Sequence, residues 1–320
     1  MFLNLLLLIV GMVLLVKGAD WFVDGSSSIA KALKIPSLII GLTLVSFGTS
    51  APEASVSINA AIAGSQDIGL GNVVGSNIVN TLFILGLSAV IMPLVIESDM
   101  KKFDIPIMLG LYVVLFIFCF VITPYELARW QGIVMLLLFS GYMVFLVMRA
   151  KKTAMQTMAD KDKQKSEDEK KKPLWLSIIL TVIGLAAVIF GGDLVVDKAS
   201  IIATELGMSE ALVGLTIVAV GTSLPELVTS VVAAIKKEDD IAIGNVVGSN
   251  IFNQIFILGM ASTISPLTVA QTAFADMLVM IGTGVILLII SLMGKKIKRW
   301  QGAVMIMAYI AYLTFIIIRG

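Results

Sequence analysis

The sequence of 320 residues contains no histidine and a single cysteine, Cys119. Without histidine, the chain lacks the commonest transition-metal ligand and the side chain that most often carries protons near neutral pH. One cysteine cannot form an intramolecular disulfide bond. Charged residues make up only 14% of the chain, and no basic stripe with interleaved aromatic residues indicates binding to nucleic acid. What remains is a chain that is 58% hydrophobic, a composition outside the soluble globular class.

Apolar runs of about 20 residues, the length that crosses roughly 30 Å of hydrocarbon, recur along nearly the whole chain. They predict an all-α membrane protein with ten transmembrane helices. The approximate ranges are 2–22, 36–63, 70–92, 104–122, 127–148, 174–196, 209–235, 243–264, 273–293 and 301–318. The first run has no basic residue before it and no small-residue cleavage pattern, so we interpret it as a retained helix rather than a signal peptide.

One stretch of the chain, 149–173, is densely charged and has no apolar periodicity. Such a composition predicts a flexible linker rather than a domain. The predicted organisation is therefore a first five-helix repeat at 1–148, the linker at 149–173 and a second five-helix repeat at 174–320.

Two polar segments inside the apolar runs occur twice. The segment at 41–53, GLTLVSFGTSAPE, returns at 214–226 as GLTIVAVGTSLPE. The segment at 71–86, GNVVGSNIVNTLFILG, returns at 244–259 as GNVVGSNIFNQIFILG. Because each copy contains five spans, an odd number, the second copy must enter the membrane from the opposite side. We therefore predict two inverted-topology repeats with broken helices at the centre.

Lysine and arginine are distributed unequally between the two sides of this topology. One side carries the basic residues of the linker and Lys31, Lys34, Lys101, Lys102, Lys236, Lys237, Lys295, Lys296, Lys298 and Arg299. The other side carries Arg129, Lys198 and Arg319. Because basic loops stay in the cytoplasm, we expect both termini outside the cell and the linker inside.

The tetrapeptide RWQG recurs at 129–132 and 299–302, and we interpret it as an anchor at the membrane surface.

The first duplicated segment breaks a helix and places a carboxylate beside the break. Pro52 and Pro225 have no N–H, so each leaves a carbonyl of the preceding turn without its helical bond. Such a break is tolerated in a membrane only where it is buried in protein or lines a wet cavity. The surrounding oxygen atoms come from Thr49, Ser50, Glu53, Thr222, Ser223 and Glu226 and from the backbone carbonyls around Ser46 and Ala219. Calcium and sodium bind such sets of oxygen atoms.

The second duplicated segment adds hydroxyl and amide groups that share one helix face. Ser76 and Asn80 are four positions apart, as are Ser249 and Asn253. Four glycines leave the surface of the segment flat, which allows another helix to approach closely. They are Gly71, Gly75, Gly244 and Gly248. We expect spans two, three, seven and eight to meet at the centre, with the two glutamates facing each other.

Either motif alone is compatible with a structural role, because proline-kinked helices and glycine-rich packing faces are common in membrane bundles. The duplicated combination, with one glutamate in each copy, favours an ion pathway. A carboxylate inside the bilayer is costly, and two of them at matched depth indicate a function.

The motifs G-T-S-x-P-E and G-N-x-x-G-S-N-x-x-N resemble the two α-repeats of the calcium/cation antiporter superfamily, in particular its prokaryotic Na+/Ca2+ exchangers. The resemblance covers the chain apart from the linker, and it implies ten helices in two inverted repeats whose first helices slide to alternate access. The implied cation ligands are Thr49, Ser50, Glu53, Ser76, Asn80, Thr222, Ser223, Glu226, Ser249 and Asn253, with the backbone carbonyls of Ser46 and Ala219. Some exchangers of this family carry aspartate in place of Asn80 or Asn253, and proton-coupled relatives typically carry an acidic residue in place of Gly75 or Gly248.

The resemblance implies a secondary active antiporter, not an enzyme, that exchanges Na+ for Ca2+ across the plasma membrane and extrudes Ca2+ by alternating access. We expect no cofactor besides the transported Ca2+ and Na+, a lipid bilayer as surroundings and a functional monomer. The missing histidine and the glycines at 75 and 248 favour Na+ over H+ as the driving ion. Ca2+/H+ antiport is the alternative; a cation channel and an intramembrane hydrolase are alternatives from other classes. The sequence has neither an ATP-binding G-x-x-x-x-G-K-[ST] motif nor a G-x-S-x-G nucleophile elbow.

Overall fold

A computed structural model describes residues 2–64, 66–161, 173–208 and 219–319. These residues form helices joined by short loops, with four strands of two residues each. The helices are α1 (Phe2–Leu33), α2 (Ser37–Thr49), α3 (Ala51–Ala63), α4 (Gly69–Ile91), α5 (Met100–Ile122), α6 (Arg129–Lys161), α7 (Leu174–Glu205), α8 (Ala219–Gly221), α9 (Leu224–Ile235), α10 (Asp239–Ile264), α11 (Ala273–Met293) and α12 (Arg299–Arg319). The strands are β1 (Leu94–Val95), β2 (Glu126–Leu127), β3 (Leu267–Thr268) and β4 (Lys296–Ile297).

Within the described ranges, eight helices are long and apolar enough to cross a membrane, and the bent pair α2–α3 makes a ninth. The prediction of an all-helical membrane protein is thereby confirmed. The predicted seventh span, 209–235, falls partly outside the described residues, which contain only α8 and the short apolar helix α9 from it. The count of ten spans therefore stays a prediction.

Helix α6 continues beyond 148, the predicted end of the fifth span, to Lys161. The first part of the predicted linker is thus helical, because it contains alanine, lysine, methionine and glutamine and has no proline before Pro173. The rest of that linker, 162–172, lies outside the described residues.

Helices α4 and α10, which carry the second duplicated segment, form the centre of the bundle. We compared the most apolar 18-residue stretch of each long helix. In α4, 72% of this stretch is buried inside the protein, and in α10, 94% is buried. The corresponding share is 17% to 33% for the other long helices that cross the described part of the bundle. The most polar helices therefore lie farthest from the lipid, as a polar pathway through a membrane requires.

Close contact between α2 and α10 depends on glycine. A Cβ atom on Gly244 would lie 3.1 Å from Gly41 Cα, and one on Gly248 would lie 2.8 Å from Leu42 Cα. The predicted close approach is thus present at these two positions. A Cβ atom on Gly71 or Gly75 would meet no described atom within 4 Å. The chain positions that would match Gly41 and Leu42 in the second half, 214 and 215, lie outside the described residues.

The long helices α1 and α7, the first helix of each half, pack along each other through glycine. A Cβ atom on Gly18 would lie 2.7 Å from the backbone nitrogen of Val188, so the two backbones touch. Towards its C-terminal half, α1 is also held to the end of α9 by Lys236. The Lys236 Nζ atom lies 2.7 Å from Asp20 Oδ1 and 2.6 Å from Asp24 Oδ1.

The loops of the two halves pair through their strands, β1 with β4 and β2 with β3, both antiparallel. The repeated RWQG segments follow two of these strands, and their glutamines cap the helices that start there. Gln131 Oε1 accepts from Ala128 N at 2.7 Å, and Gln301 Oε1 accepts from Lys298 N at 2.8 Å. This is the glutamine half of a capping box. The segments therefore start α6 and α12, a role that the interpretation as membrane anchors did not include.

Candidate cation site

The site forms where α2 meets α3 and where α8 meets α9. Pro52 and Pro225 stand at the second position of α3 and α9, and the helix path changes at the serine before each of these helices. The backbone of Ser50 has φ −82° and ψ 9°, and that of Ser223 has φ −89° and ψ 6°. Helices α2 and α3 consequently meet at 51°, and the predicted break is present.

Both glutamates that follow these breaks are fully buried, and each is held by a serine of the other half. Ser50 Oγ donates to Glu226 Oε1 at 2.8 Å, and Ser223 Oγ donates to Glu53 Oε1 at 3.2 Å. The two carboxylates therefore lie in one shared cluster rather than in two separate sites. Neither points into lipid.

The serines of the second duplicated segment join the same cluster. Ser76 Oγ lies 3.5 Å from Ser223 Oγ. Ser249 Oγ lies 3.5 Å from Glu226 Oε1 and 3.4 Å from the carbonyl oxygen of Ser46, the two acceptors open to its single proton. Helices α4 and α10 thus each contribute a serine to the cluster.

Among the predicted ligands, five buried side-chain oxygen atoms have no hydrogen-bond partner within the described protein. They are Glu53 Oε2, Glu226 Oε2, Asn80 Oδ1, Asn253 Oδ1 and Thr222 Oγ1. Buried polar atoms are normally paired, because an unpaired one costs free energy comparable to a lost hydrogen bond. Four of the five can only accept when the glutamates are ionised, so a cation is the partner that suits them together.

Wide helical turns place the two asparagines. Asn80 lies in the π-helical segment Val79–Ile84 of α4, and Asn253 begins the π-helical segment Asn253–Ile257 of α10. A π-helical turn inserts one extra residue and re-aims the side chains around it, and such turns are frequent at functional sites. The motif spacing assumed regular α-helix here, so these turns were not predicted.

Two further asparagines, which were not among the predicted site residues, hold the backbone of the glutamates. Asn72 Nδ2 and Asn245 Nδ2 each lie 3.4 Å from the carbonyl oxygen of the neighbouring Glu53 and Glu226, respectively. They are the second residue of each GNVVGSN segment, so the exact repetition of that segment was a signal that could have identified them. They fix α3 to α4 and α9 to α10 next to the carboxylates.

The two threonines of the site differ in their surroundings. Thr49 Oγ1 lies 3.0 Å from Asn245 Oδ1 and 3.1 Å from the Val45 carbonyl, so it is engaged in hydrogen bonds. Thr222 Oγ1 is one of the unpartnered atoms. Ala219 is the first residue of α8. That its backbone carbonyl binds a cation stays a prediction.

A cavity of about 600 Å³ reaches the site between α3 and α7. Its lining includes Pro52, Thr222 and two acidic residues of α7, Asp193 and Asp197. The cavity therefore places two carboxylates of α7 in the same space as Thr222, the threonine whose hydroxyl is unpartnered.

The sequence matches the profile of the family described as "Sodium/calcium exchanger protein" over residues 3–148 and 176–318. The chain is 38% identical over 343 aligned positions to the sodium/calcium exchanger MaX1 of Methanosarcina acetivorans, covering 97% of each chain. It is 37% identical over 275 positions to the inner membrane protein YrbG of Escherichia coli K12, covering 84% of this chain and 82% of that protein.

A solved structure shows the same fold. The sodium-calcium exchanger NCX_Mj, soaked with 10 mM Na+ and 10 mM Sr2+, superposes with a TM-score of 0.84 and 33% sequence identity over 98% of each chain. The buried pair of carboxylates, the match over both halves and this common fold lead to one conclusion: the chain belongs to the sodium/calcium exchanger protein family.

Proposed function

We propose that this member of the family exchanges Na+ for Ca2+ across the plasma membrane by alternating access, with Na+ entering and Ca2+ leaving the cell. The observation that carries the proposal is the pair of fully buried carboxylates, Glu53 and Glu226, each of which has one oxygen atom without a hydrogen-bond partner in the described protein. A relative that is named a sodium/calcium exchanger, MaX1, supports it. So do the NCX_Mj structures, which concern ion exchange and binding-site occlusion in that protein with Na+ and Ca2+.

The proposed ligands are the twelve residues that the resemblance implies. They are Thr49, Ser50, Glu53, Ser76, Asn80, Thr222, Ser223, Glu226, Ser249 and Asn253 through their side chains, and Ser46 and Ala219 through their carbonyls. The two carboxylates balance the charge of one Ca2+ or of two Na+. A third Na+ would be held by neutral oxygen atoms alone, because Asn80 and Asn253 are both amides.

Charge balance also explains why transport is exchange rather than leak. Each uncompensated carboxylate at the bilayer centre costs on the order of 3 kcal/mol. A protein without a cation would carry two such charges through any change of access, whereas a loaded protein is neutral there. The cation-loaded protein therefore switches between outward and inward access, whereas the protein without a cation does not.

Sodium is the proposed driving ion because the residues that proton-coupled relatives use are missing. Histidine is absent, and positions 75 and 248 are glycine. Ca2+/H+ antiport, with a glutamate as the proton carrier, is the second candidate. It is favoured by one observation, namely that both carboxylates are fully buried, where the neutral form of a carboxyl group is easier to accommodate.

The proposed topology follows from the same features. We infer ten spans in two inverted five-helix repeats, 1–148 and 174–320, which work as a monomer with both termini outside and the linker inside. The reciprocal serine–glutamate bonds and the matched strand pairs support the repeat. In this topology the cavity beside Asp193 opens towards the outside, and α1 and α7 are the pair that slides.

Flux through reconstituted protein tests the proposal. Vesicles loaded with Na+ are diluted into medium without Na+ that contains radioactive Ca2+, and uptake is compared with that of vesicles loaded with K+ or carrying only a pH gradient. We expect uptake with the Na+ gradient alone. Uptake driven by the pH gradient without Na+ would establish Ca2+/H+ exchange, and passive flux that needs no counter-ion would establish a channel.

A further inference from the structure

Two more asparagines, Asn77 and Asn250, are fully buried directly behind the proposed ligands Asn80 and Asn253. Each contacts the asparagine of the other half. An amide side chain has one oxygen and one NH2 group, so a neighbour that accepts from the NH2 group leaves the oxygen free. The donor in each hydrogen bond of this network can be assigned by starting from a backbone carbonyl oxygen, which can only accept.

The first series of bonds starts at the backbone carbonyl of Asn250. Asn77 donates its NH2 group to this carbonyl, with Nδ2 and O 3.3 Å apart, so Asn77 Oδ1 is left to accept. Asn253 donates its own NH2 group to Asn77 Oδ1 at 3.2 Å. The oxygen of Asn253 therefore takes no part in the network, and it has no partner within the described protein.

The second series starts at the backbone carbonyl of Asn77. Thr81 donates its only hydroxyl proton to this carbonyl at 2.9 Å, so Thr81 Oγ1 can accept from Asn250 Nδ2 at 2.8 Å. Asn250 Oδ1 then accepts from Asn80 Nδ2 at 3.1 Å. The oxygen of Asn80 is free in consequence, as that of Asn253 is.

We propose that Asn77 and Asn250 are positioning residues, which hold Asn80 and Asn253 with oxygen rather than NH2 towards the transported cation. The inference rests on the proposed function, because it gives these amides a cation to face. An amide turned by half a rotation would direct two N–H donors at the cation and replace attraction with repulsion. Because the two series interlock, each half sets the amide direction of the other.

Replacing Asn77 with leucine tests the first series. We expect Asn77→Leu to raise the Kd for Ca2+ about tenfold, since about 1.4 kcal/mol lies within the cost of leaving a buried partner unpaired. The measurement is equilibrium binding of radioactive Ca2+ to the purified full-length protein in detergent, without any ion gradient. Gln131→Leu is the matched control. Gln131 is also fully buried and donates to a backbone carbonyl, that of Phe118 at 3.2 Å, but it lies at the start of α6, outside the network and the site, and we expect a wild-type Kd.

A second background separates positioning from a structural role. In Asn253→Asp the ligand becomes a carboxylate, whose two oxygen atoms are equivalent and need no orientation. Adding Asn77→Leu to this background should therefore change the Kd less than about twofold, in place of about tenfold. If Asn77→Leu is not recovered as folded protein, Asn250→Leu with and without Asn80→Asp makes the same comparison for the second series.

Three results would overturn the inference: an unchanged Kd in Asn77→Leu, an equal loss in Gln131→Leu, or the same loss in both backgrounds. Failure of the proposed function would look different. Wild-type protein that binds Ca2+ but transports it without a Na+ gradient would overturn the Na+ coupling, while the ratio of variant to wild-type Kd would still support the positioning role.

Discussion

Replacing Glu226 with glutamine removes one of the two negative charges of the site and preserves the size of the side chain. Glu226 is fully buried, accepts a hydrogen bond from Ser50 and has one oxygen without a partner in the described protein. In the proposed wild-type site, the two carboxylates balance the charge of one Ca2+. In the variant, one positive charge would remain uncompensated when Ca2+ is bound.

The size of the effect follows from the cost of that charge. An uncompensated charge at the bilayer centre costs about 3 kcal/mol, and each 1.4 kcal/mol is a factor of about ten, so Ca2+ should bind roughly 150-fold more weakly. A single Na+ is still balanced by Glu53, so its binding should weaken far less. The ratio of the two affinities is therefore the informative quantity.

The assay measures the Ca2+ concentration that gives half-maximal uptake into Na+-loaded vesicles, with equal amounts of reconstituted protein. Competition by external Na+ is measured in the same vesicles. Glu53→Gln should behave like Glu226→Gln, because the two carboxylates occupy matched positions. Glu126→Gln, which changes an exposed residue of β2, is the control and should retain wild-type uptake.

Wild-type half-saturation in both glutamine variants would refute the assignment of these carboxylates to the cation. An equal loss for Ca2+ and Na+ would refute the charge-balance argument in particular, since that argument weakens the divalent ion selectively.

Two further predictions concern the framework of the site. Gly248→Ala should lower the midpoint of thermal unfolding in detergent, because its Cβ would lie 2.8 Å from Leu42 Cα and overpacking costs about 1–3 kcal/mol. Gly75→Ala, at the matched glycine of the other half, should leave the midpoint nearly unchanged, because its Cβ would meet no described atom within 4 Å. Equal midpoints for the two variants would contradict the close contact of α2 and α10. Gln301→Ala should cost about 1 kcal/mol, since it removes the acceptor that caps Lys298 N, and an unchanged midpoint would show that the cap contributes nothing.

The positions of the apolar spans and of the helix breaks could be predicted from the sequence, because both depend on local properties. Hydropathy over about 20 residues marks a span, and a proline such as Pro52 lacks the N–H that the preceding turn needs. The repetition of whole segments identified the two glutamates and their neighbours. The extent of α6 was less accessible, because a charged stretch can be either linker or helix, and here it is helical as far as Lys161.

The linkage between the halves could be established only from the tertiary structure. Ser50 and Glu226 are 176 positions apart, and which serine meets which glutamate depends on how the helices cross. The direction of the amides depends on packing in the same way, since Asn253 donates its NH2 group to Asn77 of the other half and leaves its own oxygen without a partner in the described protein. Sequence patterns therefore determined which groups this protein keeps inside the membrane. Packing alone decided which atoms of those groups face one another, because hydrogen bonds between distant residues depend on the three-dimensional arrangement of the helices.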